Sequence, residues 1–421
     1  MAGSRLTEGR RPLAAICVFV VLLGVWNAAR YPTNAGYDAP AHMAYADGLV
    51  PGFHLQQRTN GSSEYYTPPG YYLVAGTADW ALGKLGYGDP DRAGQLVNVL
   101  FVLGAVLLVA AIARELWPGR RRIELGAAAF VAFLPVVVET EAMFHPEPMS
   151  LFLSTFALWL CVRTFSRPGY AWALGAVLGL AQLVRAFALW TVGAVVLSLI
   201  AGRRWRELAA VCVLAIAIPA PWYIHQATAY GGQPEFPQPA QATHLPAAFF
   251  FRPGIPSVFS APYRPHHYSR WIPVTYDGIW GDYFGVWVWH AGSPTGPSGS
   301  DVTRPSDFAL RWLRLQSLLG IVPTVLAVVG WVLLLHLSLK RREALAVALL
   351  PLLGLLGYLY FAVRYWTPDG DLLKATYLLT TTAGWAIAFG YLLDRLRGRA
   401  WHVAVALLVL CALAELPFLV Y

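Results

Sequence analysis

Long apolar runs alternate along the chain with short clusters of Lys and Arg, and many runs exceed what a buried helix of a soluble domain needs. About 20 apolar residues cross the hydrocarbon core of a bilayer. On that criterion eleven runs predict transmembrane helices, at residues 12–29, 93–116, 123–139, 148–165, 170–184, 186–201, 207–227, 308–337, 344–362, 373–393 and 400–418. With the N-terminus placed in the cytoplasm, every second loop falls inside. Those loops read Arg10-Arg11, Arg120-Arg121-Arg122, Arg163 with Arg167, Arg203-Arg204, Lys340-Arg341-Arg342 and Arg395 to Arg399, as the positive-inside rule requires. The expected architecture is an all-α, multi-pass membrane protein with about 11 transmembrane helices.

Two places carry alternatives. The runs 170–184 and 186–201 meet at Leu183-Val184-Arg185-Ala186 with no turn residue. Joined into one span they would invert everything downstream, so the charge bias favours two. The first run also resembles a signal peptide, with Asn27-Ala28-Ala29 as a loose cleavage site. An uncleaved anchor is the preferred reading, because the segment that follows is short and rich in chemistry.

Two expected outer segments are long. Residues 30–92 contain an amphipathic stretch, Ala41 to Val50, and an apolar stretch, Pro69 to Leu85, interrupted by Asp79 and Lys84. Both predict interfacial helices and not spans. The second segment, rich in Pro, aromatic residues and His, is long enough for a loop or small subdomain. The chain therefore divides into a transmembrane core over 1–227 with a functional first loop (30–92), an extracytoplasmic segment over 228–307, and C-terminal transmembrane helices over 308–421.

Composition agrees: 57% of the 421 residues are apolar and 13% are charged. The net charge of +8 comes from clusters at helix ends and forms no continuous stripe, which argues against a nucleic-acid partner. Cys17, Cys161, Cys212 and Cys411 lie in separate apolar runs, so free thiols are expected and not a disulfide framework or a zinc site.

The candidate chemistry gathers in the outer segments. Tyr37-Asp38-Ala39-Pro40-Ala41-His42 follows the first span; Asp38 suits either an N-cap or a catalytic acid, and His42 lies four residues on, within reach of it on a helix. The next outer loop holds Glu139, Glu141, His145 and Glu147 with no local Lys or Arg. Such carboxylates call for a cation, either a divalent ion such as Mg or Mn, or Arg and Lys from other loops. Glu147 fits a simple role in the first turn of the next helix, where its charge favours the dipole. Cations available on that side include Arg58, Arg185, Arg264, Arg270, Arg364 and Lys374. Arg185 and Lys374 either snorkel to the interface or pair with a phosphate. The run Tyr276 to His290, with Asp277, Trp280 and Asp282, has the make-up of a sugar-binding surface and equally of an interfacial aromatic belt. The chain has no P-loop and no Rossmann glycine pattern.

These motifs, in this order, resemble the GT-C superfamily of integral-membrane glycosyltransferases that use polyprenyl-phosphate-linked sugars. They are most similar to the branch of lipid A aminoarabinose transferases and protein O-mannosyltransferases. The resemblance spans most of residues 12–202. It is carried by Tyr37 to Tyr45, by Glu64-Tyr65-Tyr66-Thr67-Pro68-Pro69-Gly70-Tyr71-Tyr72, by Glu141 to Pro148, and by Gly179 to Arg185. The resemblance implies that Asp38 is a general base that accepts the proton of the acceptor hydroxyl or orients the reacting groups, with His42 and Glu141 also in the catalytic set. It implies substrate contacts at Glu64, Tyr71, Tyr72 and His145, with Arg185 on the donor phosphate, alongside the candidates Asp277, Trp280, Asp282 and Lys374. It also implies a lipid-phosphate sugar as donor, a glycan, lipid or protein acceptor, and an extracytoplasmic active site. Many members carry a second acid directly after the first, where this chain has Ala39, which leaves His42 as the substitute partner. The competing classes are a flippase for lipid-linked saccharides and a non-catalytic glycan-binding membrane protein.

Overall fold

The computed structural model describes residues 11–56, 64–89, 91–231, 251–263, 270–287, 307–364 and 373–414. Most of the expected segment 228–307, with Arg264 and His290, and the outer-loop Arg58 lie outside those residues. Among the described residues all regular structure is helical. In chain order the helices are α1 (Arg11–Arg30), α2 (Ala39–Leu49), α3 (Gly70–Lys84), α4 (Arg92–Leu116), α5 (Arg121–Ala132), α6 (Pro135–Glu141) and α7 (Glu147–Ser166). There follow α8 (Tyr170–Gln182), α9 (Ala188–Ala201), α10 (Trp205–Ala217), α11 (Ala220–Ala229), α12 (Ile255–Ser260) and α13 (Trp271–Trp280). The last are α14 (Asp307–Leu319), α15 (Ile321–Ser338), α16 (Leu345–Arg364), α17 (Thr382–Leu393) and α18 (Arg399–Leu413), with 3₁₀ turns at Arg342–Ala344 and Ala375–Thr381.

Among the described residues five helical stretches are long and apolar enough to cross a membrane: α1, α4, α7, the α14–α15 stretch Asp307–Ser338, and Arg342–Val363. Counting two bent pairs raises the number to seven. The expected count of eleven is therefore not confirmed by length and composition among the described residues. The shortfall has local causes. Pro135 lacks an amide hydrogen and forces Leu134 into an extended conformation, so the run 123–139 becomes α5 and α6, bent by 55°. Pro219 falls between α10 and α11 and Pro221 in the first turn of α11, and the two helices bend by 41°. The run 170–201 is two helices, α8 and α9, broken at residues 183–187 with Arg185 in the break.

Small residues set the packing. α5 lies along α17, α4 along α7 and α8 along α10. A Cβ on Gly390 of α17 would sit 2.6 Å from the Ile123 carbonyl of α5. Gly175 and Gly179 bring α8 equally close to the backbone of α10. This is the small-residue spacing by which helices associate in lipid, where apolar burial gives no drive. Large apolar side chains such as Leu22, Leu100, Ile216 and Val332 point outward, as a hydrocarbon solvent allows. All four cysteines are free thiols.

The short helices α2 and α3 pack on each other, and α3 on α4. Neither meets the requirement for crossing, in agreement with interfacial helices in this loop. Asn98 of α4 then ties three parts of the site region together. Its Nδ2 donates to the carbonyls of Met143 at 2.8 Å and His145 at 3.0 Å, and to the Tyr71 hydroxyl at 3.2 Å.

Candidate functional site

Asp38 is the N-cap of α2, and Pro40 in the first turn favours a helix start there. The cap is made by backbone: the Ala41 and His42 amides donate to the Asp38 carbonyl at 2.9 and 3.0 Å, while its side chain makes no capping bond. Asp38 is held in the left-handed region, at φ 54°. Such a conformation is costly for a residue with a side chain and is concentrated at functional sites. The freed carboxylate forms an ion pair with Lys374, whose ammonium also lies 5.5 Å from the centre of the Tyr37 ring. Lys374 directly precedes the 3₁₀ turn Ala375–Thr381 and is largely buried. The Lys374 ammonium holds the Asp38 carboxyl well below the usual carboxylate range, against the opposing effect of burial. Burial disfavours the lysine's own charge, yet Asp38 more than offsets this and keeps it protonated.

His42 does not bond the Asp38 carboxylate. Its Nδ1 lies 2.8 Å from the Tyr72 hydroxyl and 3.9 Å from Glu64 Oε2. Proton counting fixes the tautomer. Thr67 Oγ1 donates its one proton to the Glu64 carbonyl at 2.8 Å, which can only accept. The 3.0 Å contact between Thr67 and Tyr72 then takes the Tyr72 proton, so His42 Nδ1–H is the donor to Tyr72. His42 Nε2 is left with a lone pair, buried and without a partner among the described residues. Burial, together with the charges of His145 and Arg185, keeps this imidazole neutral by pushing its pKa well below the ordinary value. Glu64 is also buried, and loss of solvent lifts its carboxyl to about 7 in spite of Arg185.

Asp38, His42 and Glu64 each offer one ligand atom, and these lie within 4.8 Å of one another. The donor types would suit a divalent ion. The surroundings do not: Lys374 already neutralises Asp38. An ion in this triangle would stand beside an ammonium group, so the fit is poor.

A second charged group adjoins the first. Arg185, in the break between α8 and α9, sends Nε and Nη2 to Glu147 Oε1 at 2.9 and 2.8 Å. The other carboxylate oxygen of Glu147 faces His145 Nδ1 at 3.1 Å, and the His145 ring meets that of His42 at 5.1 Å. Glu147 is thus the buried counterion of Arg185, a role its first-turn position did not disclose. Tyr377, absent from the expected set, lies within electrostatic reach of Lys374, Arg185 and Asp38.

The other expected residues stand apart. Glu141 is buried, but its Oε1 faces α1, where a Cβ on Gly24 would lie 2.8 Å away. Its Oε2 has no hydrogen-bond partner. Tyr71 packs between Tyr72 and Phe144 and accepts from Asn98. Asp277 accepts from Ser317 Oγ at 2.8 Å, and Trp280 Nε1 donates to Thr324 at 2.7 Å. Both bonds tie α13 to the α14–α15 stretch, and Asp277 Oδ2 is buried with no hydrogen-bond partner among the described residues. Asp282 accepts the Trp287 amide at 2.8 Å, and Trp287 stacks on Tyr31 at 4.6 Å. The segment after α13 therefore forms an aromatic wall beside the first loop, with Phe284 against Tyr37.

The fold and site define a class. A family profile described as dolichyl-phosphate-mannose-protein mannosyltransferase matches residues 78–225, the stretch that holds Glu147 and Arg185. The crystal structure of ArnT from Cupriavidus metallidurans bound to undecaprenyl phosphate is 16% identical, with a TM-score of 0.51. That match covers 96% of this chain and 64% of ArnT. The oligosaccharyltransferase of Archaeoglobus fulgidus, crystallised with Zn and sulfate, is 14% identical with a TM-score of 0.54, over 96% of this chain and 52% of that one. The archaeal oligosaccharyltransferase AglB from Archaeoglobus fulgidus, in complex with an inhibitory peptide and a dolichol-phosphate, is 15% identical with a TM-score of 0.52, over 97% of this chain and 55% of that one. No curated protein sequence matches the chain. The chain thus spans about half to two thirds of the length of the solved proteins it resembles. It is a multi-span membrane protein with the GT-C fold, and the resemblance read from its motifs is borne out.

Proposed function

We propose that the chain is a membrane glycosyltransferase that moves a sugar from a polyprenyl-phosphate-linked donor to an acceptor hydroxyl, inverting the anomeric centre. The observation that carries this reading is the pairing of Asp38 with Lys374, beside the buried Arg185–Glu147 pair, on a fold shared with proteins crystallised with undecaprenyl phosphate and dolichol-phosphate.

Asp38 is the general base, and it orients the acceptor hydroxyl. The hydroxyl oxygen attacks the anomeric carbon, the bond from that carbon to the phosphate oxygen breaks, and the proton passes to Asp38. The polyprenyl phosphate leaves with the bonding electrons. Lys374 and Arg185 stabilise the charge that develops on it. Sharing of Lys374 links the two ends of the reaction. While the ammonium rests on Asp38, the carboxylate is a poor base. A donor phosphate that draws the ammonium toward itself restores the basicity of Asp38 when the substrate is in place. Glu64 and His42 line the acceptor side. The basic clusters at the opposite helix ends support an extracytoplasmic site; in this reading it lies within the core 1–227, with Lys374 supplied by the C-terminal helices 308–421 and the segment 228–307 as an outer loop.

Vesicles containing the full chain, supplied with synthetic polyprenyl-phosphate sugars of several kinds, test the reading. Release of polyprenyl phosphate together with a product of inverted configuration is expected from at least one donor. Absence of both from every donor, in folded protein, contradicts it.

A further inference from the structure

A second polar site lies at the far end of the helices from Asp38. It is a cavity of about 390 Å³ where the C-terminal ends of α4, α15 and α17 meet the start of α5. α4 alone, with 25 residues, separates the two sites by about 37 Å at 1.5 Å per residue, roughly the thickness of a bilayer. Three guanidinium groups, Arg120, Arg395 and Arg397, face one carboxylate, Asp394. Arg120 reaches Asp394 at 3.5 Å and is otherwise exposed. Arg395 is fixed in place: it donates to the Tyr391 carbonyl at 3.0 Å and to the Tyr391 hydroxyl, and its guanidinium lies 3.7 Å from the centre of that ring. Tyr391 in turn packs on Trp117, with ring centres 5.2 Å apart. Arg397 has no acceptor among the described residues.

The geometry points to this cavity as a binding site for the headgroup of an anionic phospholipid. Three arguments carry it. Arg120, Arg395 and Arg397 leave an excess of positive charge and several N–H donors free for phosphate oxygens. Three helix C-termini around the cavity carry partial negative charge against the single N-terminus of α5, so an anion here is held chiefly by these side chains. Finally, Ile123 and Leu337 give the cavity an apolar side, which a glycerol backbone and acyl chain would cover and a free phosphate would leave bare. The level fits a lipid headgroup, since α4 and the α14–α15 stretch, both long enough to span, end there. Arg122 over the Trp401 ring, at 5.2 Å, marks the same interface. Basic pockets between transmembrane helices commonly hold acidic headgroups. The inference is independent of the chemistry proposed at Asp38.

The test uses the full chain in detergent micelles. Bound phosphatidylglycerol is counted by native mass spectrometry against phosphatidylcholine, and thermal shifts are recorded with each lipid and with inorganic phosphate. One phosphatidylglycerol should stay bound after phosphatidylcholine has dissociated, and should raise the melting temperature. Arg120→Gln with Arg397→Gln should weaken it about 30-fold, taking each arginine at the usual interfacial worth. Arg120→Lys with Arg397→Lys, a control for folding, should keep most of the binding. Arg167→Gln with Arg206→Gln, which removes equal charge elsewhere, should leave it unchanged. Three results overturn the proposal: unaltered binding in the first variant, equal loss in the last, or an equal shift from inorganic phosphate alone.

Discussion

The carboxylate of Asp38 is paired with the ammonium of Lys374, 336 residues further along the chain. The pair joins the first loop after α1 to the segment before α17, so the site depends on both ends of the fold. Its geometry explains why Asp38 tolerates a left-handed backbone: the aspartate carbonyl caps α2 while its side chain is turned to the lysine.

Removal of the ammonium should be read in both roles of Lys374. Lys374→Met should lower sugar transfer by at least 100-fold, the scale of losing one charge-stabilising donor at a reacting centre. Lys374→Arg should recover part of that, since it restores the charge with altered geometry. Steady-state rates at varied donor concentration check this, with the larger effect on kcat.

The Arg185–Glu147 pair predicts a separation of stability from activity. Glu147→Gln leaves Arg185 buried without its counterion and should cost about 3–5 kcal/mol, the usual penalty for breaking a buried pair. Replacing both residues by methionine should recover most of that stability while transfer stays lost. Thermal unfolding and transfer rates, measured on the same preparations, decide it.

Asp79 predicts a dependence of stability on pH. Burial lifts its carboxyl to about 7 against the Gly94 amide, which donates to Oδ1 at 2.8 Å. The folded state therefore holds this proton more tightly than the unfolded chain, whose ordinary value is 3.8. The contribution is full below pH 3.8 and is lost as pH rises through about 7. Asp79→Asn keeps an acceptor for Gly94 and cannot ionise, so it should flatten the melting temperature over that range.

Glu64 predicts a feature of the rate profile. Its carboxyl titrates at about 7, facing Asp38, His42, Arg185, Glu147 and Lys374. The dependence of kcat/KM on pH should show an inflection near that value, and Glu64→Gln should remove it.

The sequence disclosed the site unevenly, for physical reasons. Asp38 and His42 were legible because an ionisable group at a membrane boundary is costly to keep without a use, whereas Glu64 was legible only through the family resemblance. Lys374 was legible as a cation but not as the partner of Asp38, since no local pattern records a contact across the whole chain. Glu147 was hidden by an adequate local explanation, its place in the first turn of α7. Asp277 and Trp280 drew attention by composition, yet carboxylates and indoles have the same composition when they bond Ser317 and Thr324 across a helix interface. The span count suffered from Pro135 and from the 3₁₀ turn Ala375–Thr381, which shorten helices that read as continuous apolar runs.

The central claim, that Asp38 and Lys374 form the reacting centre of a sugar transferase, is tested most directly at Asp38. The measurement is the rate of sugar transfer from a saturating polyprenyl-phosphate donor, for wild type and Asp38→Asn of matched melting temperature. A fall of about 100- to 10,000-fold in kcat is predicted, the usual contribution of a positioned general base. Undiminished turnover in the Asn variant would contradict the account.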